Sequence, residues 1–248
     1  MDVIFISYNE PNADENYKDL LTKFPNAKRV HGVDGLYESH YEASKLNESD
    51  YYITIDGDTI VWKDSLPTPN FTKPNQIFYY PTKNSILQVF AGGSIKFWAK
   101  DTITYIDRDY FNKIGEWYQI DTIDNVIHFR ENNYFIGETI INSSPQQAFI
   151  SGFRETFKRY IQHQELTKYM VLWLRDYDVE NAQWAKLGAL RGLEFAVENQ
   201  IRPQDVNDWQ LLEEVYKSTR LEYIDNMPNI IYNIIRSCNK QINKVWQQ

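Results

Sequence analysis

The amino-acid sequence predicts an α/β protein in which a mixed sheet is flanked by helices and the C-terminal third is helical. Three observations support this fold class. Strand-like and helix-like segments alternate over residues 1–60, short apolar runs among prolines follow over residues 65–140, and helical spacing of apolar residues dominates after residue 144. We expect residues 1–160 to form the core and residues 161–248 to form a helical extension that packs on it as one domain.

The first 60 residues predict a strand–helix–strand–helix–strand order. The first strand is a continuous apolar run, and the first helix starts where an asparagine is followed three residues later by a glutamate. Because crossover connections between such strands are right-handed, this order predicts a parallel sheet. The predicted elements are a strand at Val3–Ser7, a helix from Asn12 to Pro25, a strand at Lys28–His31, a helix over residues 36–47 and a strand at Tyr51–Ile55.

Residues 65–140 predict shorter, mixed strands joined by long loops, and the chain after them predicts helices. A helix is expected to begin at Ser144-Pro145, because serine caps helices and proline suits their first turn. The strand-like runs are Ile77–Tyr80, Ser94–Trp98 and Val126–Phe129, and further helices are predicted over residues 179–197, 203–219 and 228–246.

Composition and charge disfavour several classes of function. Lys and Arg number 26 against 34 Asp and Glu, and the net charge of −8 disfavours a general nucleic-acid coat. No glycine-rich dinucleotide-binding motif or P-loop follows the first strand. The single cysteine, Cys238, excludes an internal disulfide and fits a reducing cytoplasm. We expect neither a signal peptide nor a membrane span, because the N-terminus lacks a basic region and no apolar run approaches about 20 residues.

The segment Asp56-Gly57-Asp58 is the strongest candidate for a reactive site. It follows the third predicted strand, and open α/β sheets bind ligands at the carboxyl ends of their parallel strands. Two carboxylates separated by a glycine can share a hard divalent cation, while the glycine lets a diphosphate approach the backbone. Asp107-Arg108-Asp109 and Asp176-Tyr177-Asp178 share the spacing but follow no such strand. The alternative interpretation of the first segment is an acidic surface turn.

Glycosyl transfer is a reaction that needs such an arrangement. Its leaving group is a nucleoside diphosphate, whose developing negative charge must be neutralised while the bond between sugar and oxygen breaks. Mn²⁺ or Mg²⁺ held by carboxylates supplies that neutralisation as a Lewis acid. The 18 tyrosines also offer flat apolar faces with polar tips, which suit sugars and bases, although most are expected to pack in the core.

Four stretches of the sequence bear a family resemblance: SYNEPNADENY (7–17), FPNAKRVHGVDGLYESHYEASKL (24–46) leading into YYITIDGDTIV (51–61), AGGSIKFW (91–98) and INSSPQQAFISGFRETFK (141–158). In these stretches the chain resembles the GT-A glycosyltransferases, nearest to the phage-type enzymes that modify hydroxylated pyrimidines in DNA. The resemblance implies a GT-A fold with a Rossmann-like sheet. It also implies transfer from a nucleoside-diphosphate sugar, a UDP-sugar first, to a pyrimidine such as hydroxymethylcytosine. A phage-encoded enzyme of this kind would act in the host cytoplasm.

The resemblance implies roles for matching residues of the core, which would bind the nucleotide sugar and catalyse the transfer. Asp56 and Asp58 would bind Mn²⁺ or Mg²⁺ and the diphosphate, and Asp58 is the stronger candidate for catalysis. Asn142 and Ser143 would line the same cleft, and Arg154 is a candidate for the acceptor side. The expected donor contacts are Ser7, Tyr8, Asn9, Glu10, His31, Asp34, Asp56, Gly57, Gly92 and Gly93.

Other assignments rest on the residues alone and have a structural alternative. Glu138 and Asp124 are candidates for a catalytic base, and His128 and His163 are candidates for a third metal ligand, although either histidine suits the core or the surface. A basic stripe at i, i+4 and i+8 of the last predicted helix would contact DNA phosphates, or would serve only as a solubilising face. The stripe consists of Arg236, Lys240 and Lys244.

Two further hypotheses compete with a DNA acceptor. The first is a GT-A transferase that acts on a glycan or a small molecule, because such enzymes share donor chemistry across different acceptors. The second is a nucleotide-sugar pyrophosphorylase or a non-catalytic sugar-binding protein. A pyrophosphorylase is disfavoured because its glycine-rich, basic first loop is replaced here by Tyr8-Asn9-Glu10-Pro11, and a binding module does not explain the paired carboxylates. The sequence has no signal for the oligomeric state, the donor sugar or the stereochemical outcome.

Overall fold

The chain divides into two compact units, Met1–Ile141 and Asn142–Gln248. The computed structural model describes residues 1–69, 77–106, 126–128, 135–161, 166–199, 205–206 and 208–221. The sheet lies in the first unit, and the helices that follow Ser144 lie in the second. The sequence groups the first of those helices with the core, whereas the structure assigns it to the unit of the C-terminal helices.

The first unit contains an eight-stranded mixed sheet in its described part, with the strand order β2-β1-β3-β6-β5-β8-β4 and β7 beside β5. Strand β1 runs parallel to β2 and β3, β6 is antiparallel to both β3 and β5, and β4 is antiparallel to β8. The elements are β1 (Asp2–Ser7), α1 (Ala13–Lys23), β2 (Lys28–His31), α2 (Leu36–Leu46), β3 (Tyr51–Asp56), β4 (Thr59–Val61), β5 (Ile77–Asn84), β6 (Phe90–Ala99), a 3₁₀ turn (Thr102–Tyr105), β7 (Val126–His128) and β8 (Gly137–Thr139).

Both faces of this sheet are covered, which explains why its central strands are continuous apolar runs. Odd-numbered residues of β1 and β3, such as Phe5 and Ile55, pack on the side of α1. Even-numbered residues, such as Tyr52 of β3, pack on the side of α2 together with Trp98 of β6. This alternation assigns each side chain near the carboxyl ends of β1 and β3 to one face of the sheet.

The second unit is built from helices in its described part. Helices α3 and α5 approach so closely that Gly152, Gly188 and Gly192 each face the backbone of the opposite helix, where any Cβ would clash. Three phenylalanines of α3 that recur at helical spacing are buried, as the sequence predicts. The helices are α3 (Pro145–Ile161), α4 (Leu166–Trp173), α5 (Ala182–Glu198) and α6 (Trp209–Ser218).

The fold class is confirmed: the sheet is mixed and Rossmann-like, helices flank it, and a helical region follows. Strands β4 and β8 and helix α4 are absent from the prediction, because three-residue strands leave no periodic signal and α4 is a short apolar run. Helix α6 begins at Trp209 because the side chain of Asp208 accepts a hydrogen bond from Leu211 N at 3.0 Å. The predicted helix over residues 228–246 lies outside the described residues.

None of the helices in the described stretches combines the length and the apolar character that crossing a membrane requires.

Candidate active site

The carboxyl ends of β2, β1 and β3 lie side by side at one edge of the sheet. The parallel register pairs Ser7 with His31 and Ile6 with Asp56, so three predicted site residues end neighbouring strands. The loop after β1 and the turn formed by Gly57 and Asp58 extend from this edge. The structure therefore brings together the Asp-Gly-Asp segment and the two predicted donor loops, which are residues 7–10 after β1 and residues 31–34 after β2.

Glu10 lies against the Asp-Gly-Asp turn. The backbone N–H of Tyr8 donates to Glu10 Oε2 at 2.7 Å, which folds the loop over itself. A Cβ on Gly57 would lie 2.7 Å from the same oxygen and 2.9 Å from Ser7 Cβ, so only glycine leaves room for the Glu10 carboxylate. Asn16 Nδ2 of α1 donates to the carbonyl of Gly57 at 2.9 Å and so fixes the turn to α1.

Three carboxylates at this edge influence one another electrostatically. Burial raises the pKa of Asp58 to about 7, and the negative charges of Asp56 and Glu10 contribute to the increase. Burial also raises the pKa of Glu10, and the charge of Asp56 raises it further. Concentrated negative charge of this kind favours a bound cation, and carboxylate oxygens are the ligands that Mg²⁺ and Mn²⁺ accept.

The carboxylates at this edge do not form a complete metal-binding cluster by themselves. In the described part of the chain, no three or more His, Cys, Asp or Glu side chains are arranged to hold a metal ion. Mg²⁺ is commonly held by only one or two carboxylates together with substrate phosphates. Two carboxylates near one turn, such as Glu10 and Asp58, are therefore enough for a cation only where a substrate phosphate and water complete its ligands.

Lys96 forms an ion pair with the third carboxylate, that of Asp56, and the sequence did not predict this contact. Its Nζ lies 2.9 Å from Asp56 Oδ1 and 3.2 Å from Asp56 Oδ2, so both oxygens of that carboxylate face one ammonium group. Burial raises the pKa of Asp56, although the charge of Lys96 lowers it in turn. The available signal was a single lysine inside the apolar run Ser94–Trp98.

Arg29 joins the two donor loops and was also missed. Its Nε donates to Ser7 Oγ at 2.9 Å, its Nη1 to Asp14 Oδ1 at 2.7 Å and its Nη2 to His31 Nδ1 at 3.3 Å. Ser7 Oγ also lies 3.0 Å from His31 Nδ1. Because a guanidinium can only donate, His31 Nδ1 accepts and the ring proton resides on Nε2. His31 is exposed, so this Nε2–H is available to a ligand.

The remaining predicted donor residues of the described chain lie on the two loops and on β6. Tyr8 is half-buried, while Asn9 and Asp34 are exposed. Gly93 adopts a φ of 95°, which favours glycine, and a Cβ there would meet no atom within 4 Å. Gly92 precedes it in β6.

Of the candidates for a catalytic base or a third metal ligand, only Glu138 has a described side chain. Glu138 lies in β8, where its Oε1 is 3.9 Å from Lys83 Nζ. The backbone of His128 ends β7, and its side chain lies outside the described residues. Five further candidates also lie outside them: Asp124, His163, Arg236, Lys240 and Lys244.

Two predicted acceptor residues lie in the second unit and have structural partners there. Asn142 Nδ2 donates to the carbonyl of Glu180 at 2.9 Å, and Asn181 Nδ2 donates to the carbonyl of Asn142 at 2.8 Å. Arg154 Nε donates to the carbonyl of Val206 at 3.1 Å, and the guanidinium lies 5.1 Å from the ring centre of Trp209. These contacts give Arg154 a role in packing α3 within its own unit.

No protein-family model and no curated protein matches the sequence. Among solved structures, the chain is similar to a glycosyltransferase involved in the glycosylation of the major capsid of PBCV-1, with 11% sequence identity. The match covers 52% of this chain and 81% of that chain, with a TM-score of 0.30. It is also similar to 4-diphosphocytidyl-2C-methyl-D-erythritol synthase from Anaerococcus prevotii, with 15% identity, 54% and 92% coverage, and a TM-score of 0.31. Both likenesses are weak, and we base the proposed function on the side chains of the site.

Proposed function

We propose that this protein is a metal-dependent glycosyltransferase that uses a nucleoside-diphosphate sugar. The main support is the placement of Glu10 and Asp58 around Gly57, at the carboxyl ends of the parallel strands β1 and β3. This edge is where open α/β sheets bind nucleotides. An acidic surface turn would not need a glycine against a folded-back carboxylate, nor bury Asp58 enough to raise its pKa.

Asp58 and Glu10 would hold Mn²⁺ or Mg²⁺ at this edge. A cation bound there would neutralise the charge that develops on the leaving diphosphate. Gly57, which has no side chain, would leave its backbone accessible to the phosphates. Removing Asp58 would therefore leave the developing charge without its principal stabiliser.

The two donor loops would recognise the nucleoside. The half-buried ring of Tyr8 is suited to stack on a base, and the exposed Nε2–H of His31 is suited to donate to a carbonyl or hydroxyl oxygen. Arg29 would keep both loops in register through Ser7 and His31. The hydrogen-bond network thus prepares the loops before the donor arrives.

The acceptor is proposed to be a hydroxymethylated pyrimidine in DNA, and a UDP-sugar is the first donor to test. This part of the proposal rests on the family resemblance of residues 7–158 and on the basic stripe of the last predicted helix. A base modified by an enzyme must leave the helical stack, and aromatic side chains commonly hold it once it has been turned out. A glycan or a small molecule is the alternative acceptor, because donor chemistry does not fix the acceptor.

A donor screen tests the proposal. Wild-type protein with Mn²⁺ should hydrolyse at least one UDP-sugar, excess EDTA should stop the reaction, and Asp58→Ala should reduce turnover by about 10²-fold or more. With the active donor, intact-mass analysis should show hexose addition to DNA that contains hydroxymethylcytosine and none to unmodified DNA. Full turnover in EDTA would refute the metal dependence. Transfer of the sugar to glycans but to neither DNA would refute the DNA acceptor and support a glycan acceptor.

A further inference from the structure

We infer that Lys96 is a positioning residue that divides the three carboxylates of the site. Its ammonium pairs with both oxygens of Asp56 and leaves Asp58 and Glu10 to face the cation and the diphosphate. This inference rests on the proposed function and deepens it, because it changes the composition of the cation site. The first and last residues of the Asp-Gly-Asp segment then have different tasks.

The sheet geometry directs Lys96 and Asp56 toward each other. Lys96 of β6 lies directly opposite Thr54 of β3, and Asp56 is two residues further along β3 on the same face. The Lys96 side chain is 4% exposed, whereas the Asp56 side chain is 36% exposed, so the ammonium approaches the carboxylate from inside the protein. Both carboxylate oxygens lie within 3.2 Å of Nζ.

The surroundings of Lys96 are apolar and aromatic, which makes its pairing with Asp56 important. Trp98 and Tyr52 stack at 6.0 Å on the same face, and Trp98 Nε1 donates to Thr54 Oγ1 at 2.8 Å. His40 lies 5.0 Å from Trp98, and burial together with the charge of Lys96 keeps it neutral by lowering its pKa. The ion pair with Asp56 therefore provides the negative charge that the buried ammonium requires.

Glu10 approaches the turn from the other face of the sheet. A Cβ on Gly57 would point at Glu10 Oε2 and at Ser7 Cβ, and Ser7 continues the row of Phe5 on the α1 side. Asp56 instead faces the α2 side with Lys96. The pairing therefore separates Asp56 from Glu10, although the charge of Asp56 still contributes to the raised pKa of Glu10. When all three carboxylates are ionised, they and the ammonium carry a net charge of −2, which a divalent cation balances.

A titration with Mn²⁺ alone, monitored through the electron paramagnetic resonance signal of the free ion, tests whether Asp58 and Glu10 contribute more than Asp56 to cation binding. Asp58→Asn and Glu10→Gln should each raise the Kd for Mn²⁺ by about 10-fold or more, whereas Asp56→Asn should raise it by less than about threefold. Glu48→Gln is the matched control, since Glu48 is an exposed carboxylate that pairs with Lys28 at 2.8 Å. It should leave the Kd unchanged.

A double-mutant cycle distinguishes positioning from simple structural support. Lys96→Met should release Asp56, so that Asp56→Asn in the Lys96→Met background raises the Kd by about 10-fold. Lys96→Arg should restore the wild-type response to Asp56→Asn. Thermal unfolding curves show which variants are folded at the temperature of the binding assay. The comparison of Asp56→Asn, Asp58→Asn and Glu10→Gln keeps Lys96 in place. It therefore shows which carboxylates bind Mn²⁺ even if Lys96→Met does not fold.

The outcomes separate this inference from the proposed function. If Asp56→Asn weakens Mn²⁺ binding as much as Asp58→Asn, or has the same effect with and without Lys96, the inference is overturned while Mn²⁺-dependent donor hydrolysis by the wild type still stands. If the wild type binds no Mn²⁺, the inference and the proposed metal dependence are overturned together.

Discussion

Replacing Asp58 with asparagine is expected to stabilise the cation-free protein at neutral pH. Burial and the charges of Asp56 and Glu10 raise the pKa of Asp58 from its ordinary value of 3.8 to about 7 in the folded state. Between these two values the folded state binds more protons than the unfolded state, so wild-type stability falls as pH rises. Asparagine has no proton to lose, and the variant should not show this loss.

The size of the effect follows from the two pKa values. Their difference corresponds to a loss of at most about 4 kcal/mol in the free energy of unfolding of the wild type at pH 8. Asp58 keeps contact with solvent, and we therefore expect a gain of about 1–2 kcal/mol in the free energy of unfolding. For a chain of this size, that gain corresponds to an increase in Tm of about 3–6 °C. At pH 4 the two proteins should have nearly equal stability.

Thermal unfolding from pH 4 to pH 8 in EDTA measures this effect. Asp176→Asn is the matched control, because Lys186 lies 2.7 Å from this exposed carboxylate and lowers its pKa. A lowered pKa stabilises the folded state above the ordinary value, so Asp176→Asn should not raise the Tm at pH 8. Adding Mn²⁺ should raise the Tm of the wild type and of Asp176→Asn but not that of Asp58→Asn.

The reasoning would be refuted if Asp58→Asn lowered the Tm at pH 8, or if its difference from the wild type did not depend on pH. Either result would mean that burial and the neighbouring carboxylates do not raise the pKa of Asp58 in the folded protein.

Three further predictions concern the donor loop, the turn and the last helix. If Tyr8 stacks on the nucleotide base, Tyr8→Ala should raise the donor KM more than it lowers kcat, whereas a loss of Tm without a change in KM would make it a packing residue. Gly57→Ala should displace the Glu10 carboxylate, weaken Mn²⁺ binding by about 10-fold and also lower the Tm, because its Cβ would lie 2.9 Å from Ser7 Cβ. Gly137→Ala, whose Cβ would clash with the Ile60 carbonyl, should lower the Tm without this effect on Mn²⁺ binding. Replacing Arg236, Lys240 and Lys244 together with Gln should reduce the slope of log K for DNA binding against log salt concentration by about two to three, and should leave donor hydrolysis unchanged. If the triple variant modifies DNA as well as the wild type at every salt concentration, the predicted last helix has only a structural role.

The sequence predicts the parallel half of the sheet well and its antiparallel half only in part. Strands β1, β2 and β3 are buried on both faces or end at turns, and their limits agree with the prediction to within about one residue. Strands β4 and β8 have three residues each and pair across a long segment of chain, so local periodicity does not reveal them. Gly137 shows the same dependence on distant contacts, because its approach to Ile60 exists only in the folded sheet.

The candidate site shows a similar division between local and distant information. The Asp-Gly-Asp segment is visible because its residues are adjacent and follow a strand. The partner of Asp56 lies 40 positions away, and Lys96 becomes its neighbour only when β6 pairs with β3. Arg29 likewise reaches Ser7 across the β1–β2 pair. Lysine and arginine have no positional signature in a sequence, so both roles required the structure.

The most direct test of the central claim is a calorimetric titration of UDP into the wild-type protein and into Asp58→Asn, each with Mn²⁺ and with EDTA. We expect UDP to bind the wild type at least about 10-fold more tightly with Mn²⁺ than with EDTA, because the cation joins the diphosphate to Asp58. Asp58→Asn should bind UDP weakly and equally under both conditions. Equal affinity of the wild type with and without Mn²⁺, or no binding of UDP or any other nucleoside diphosphate, would contradict the claim.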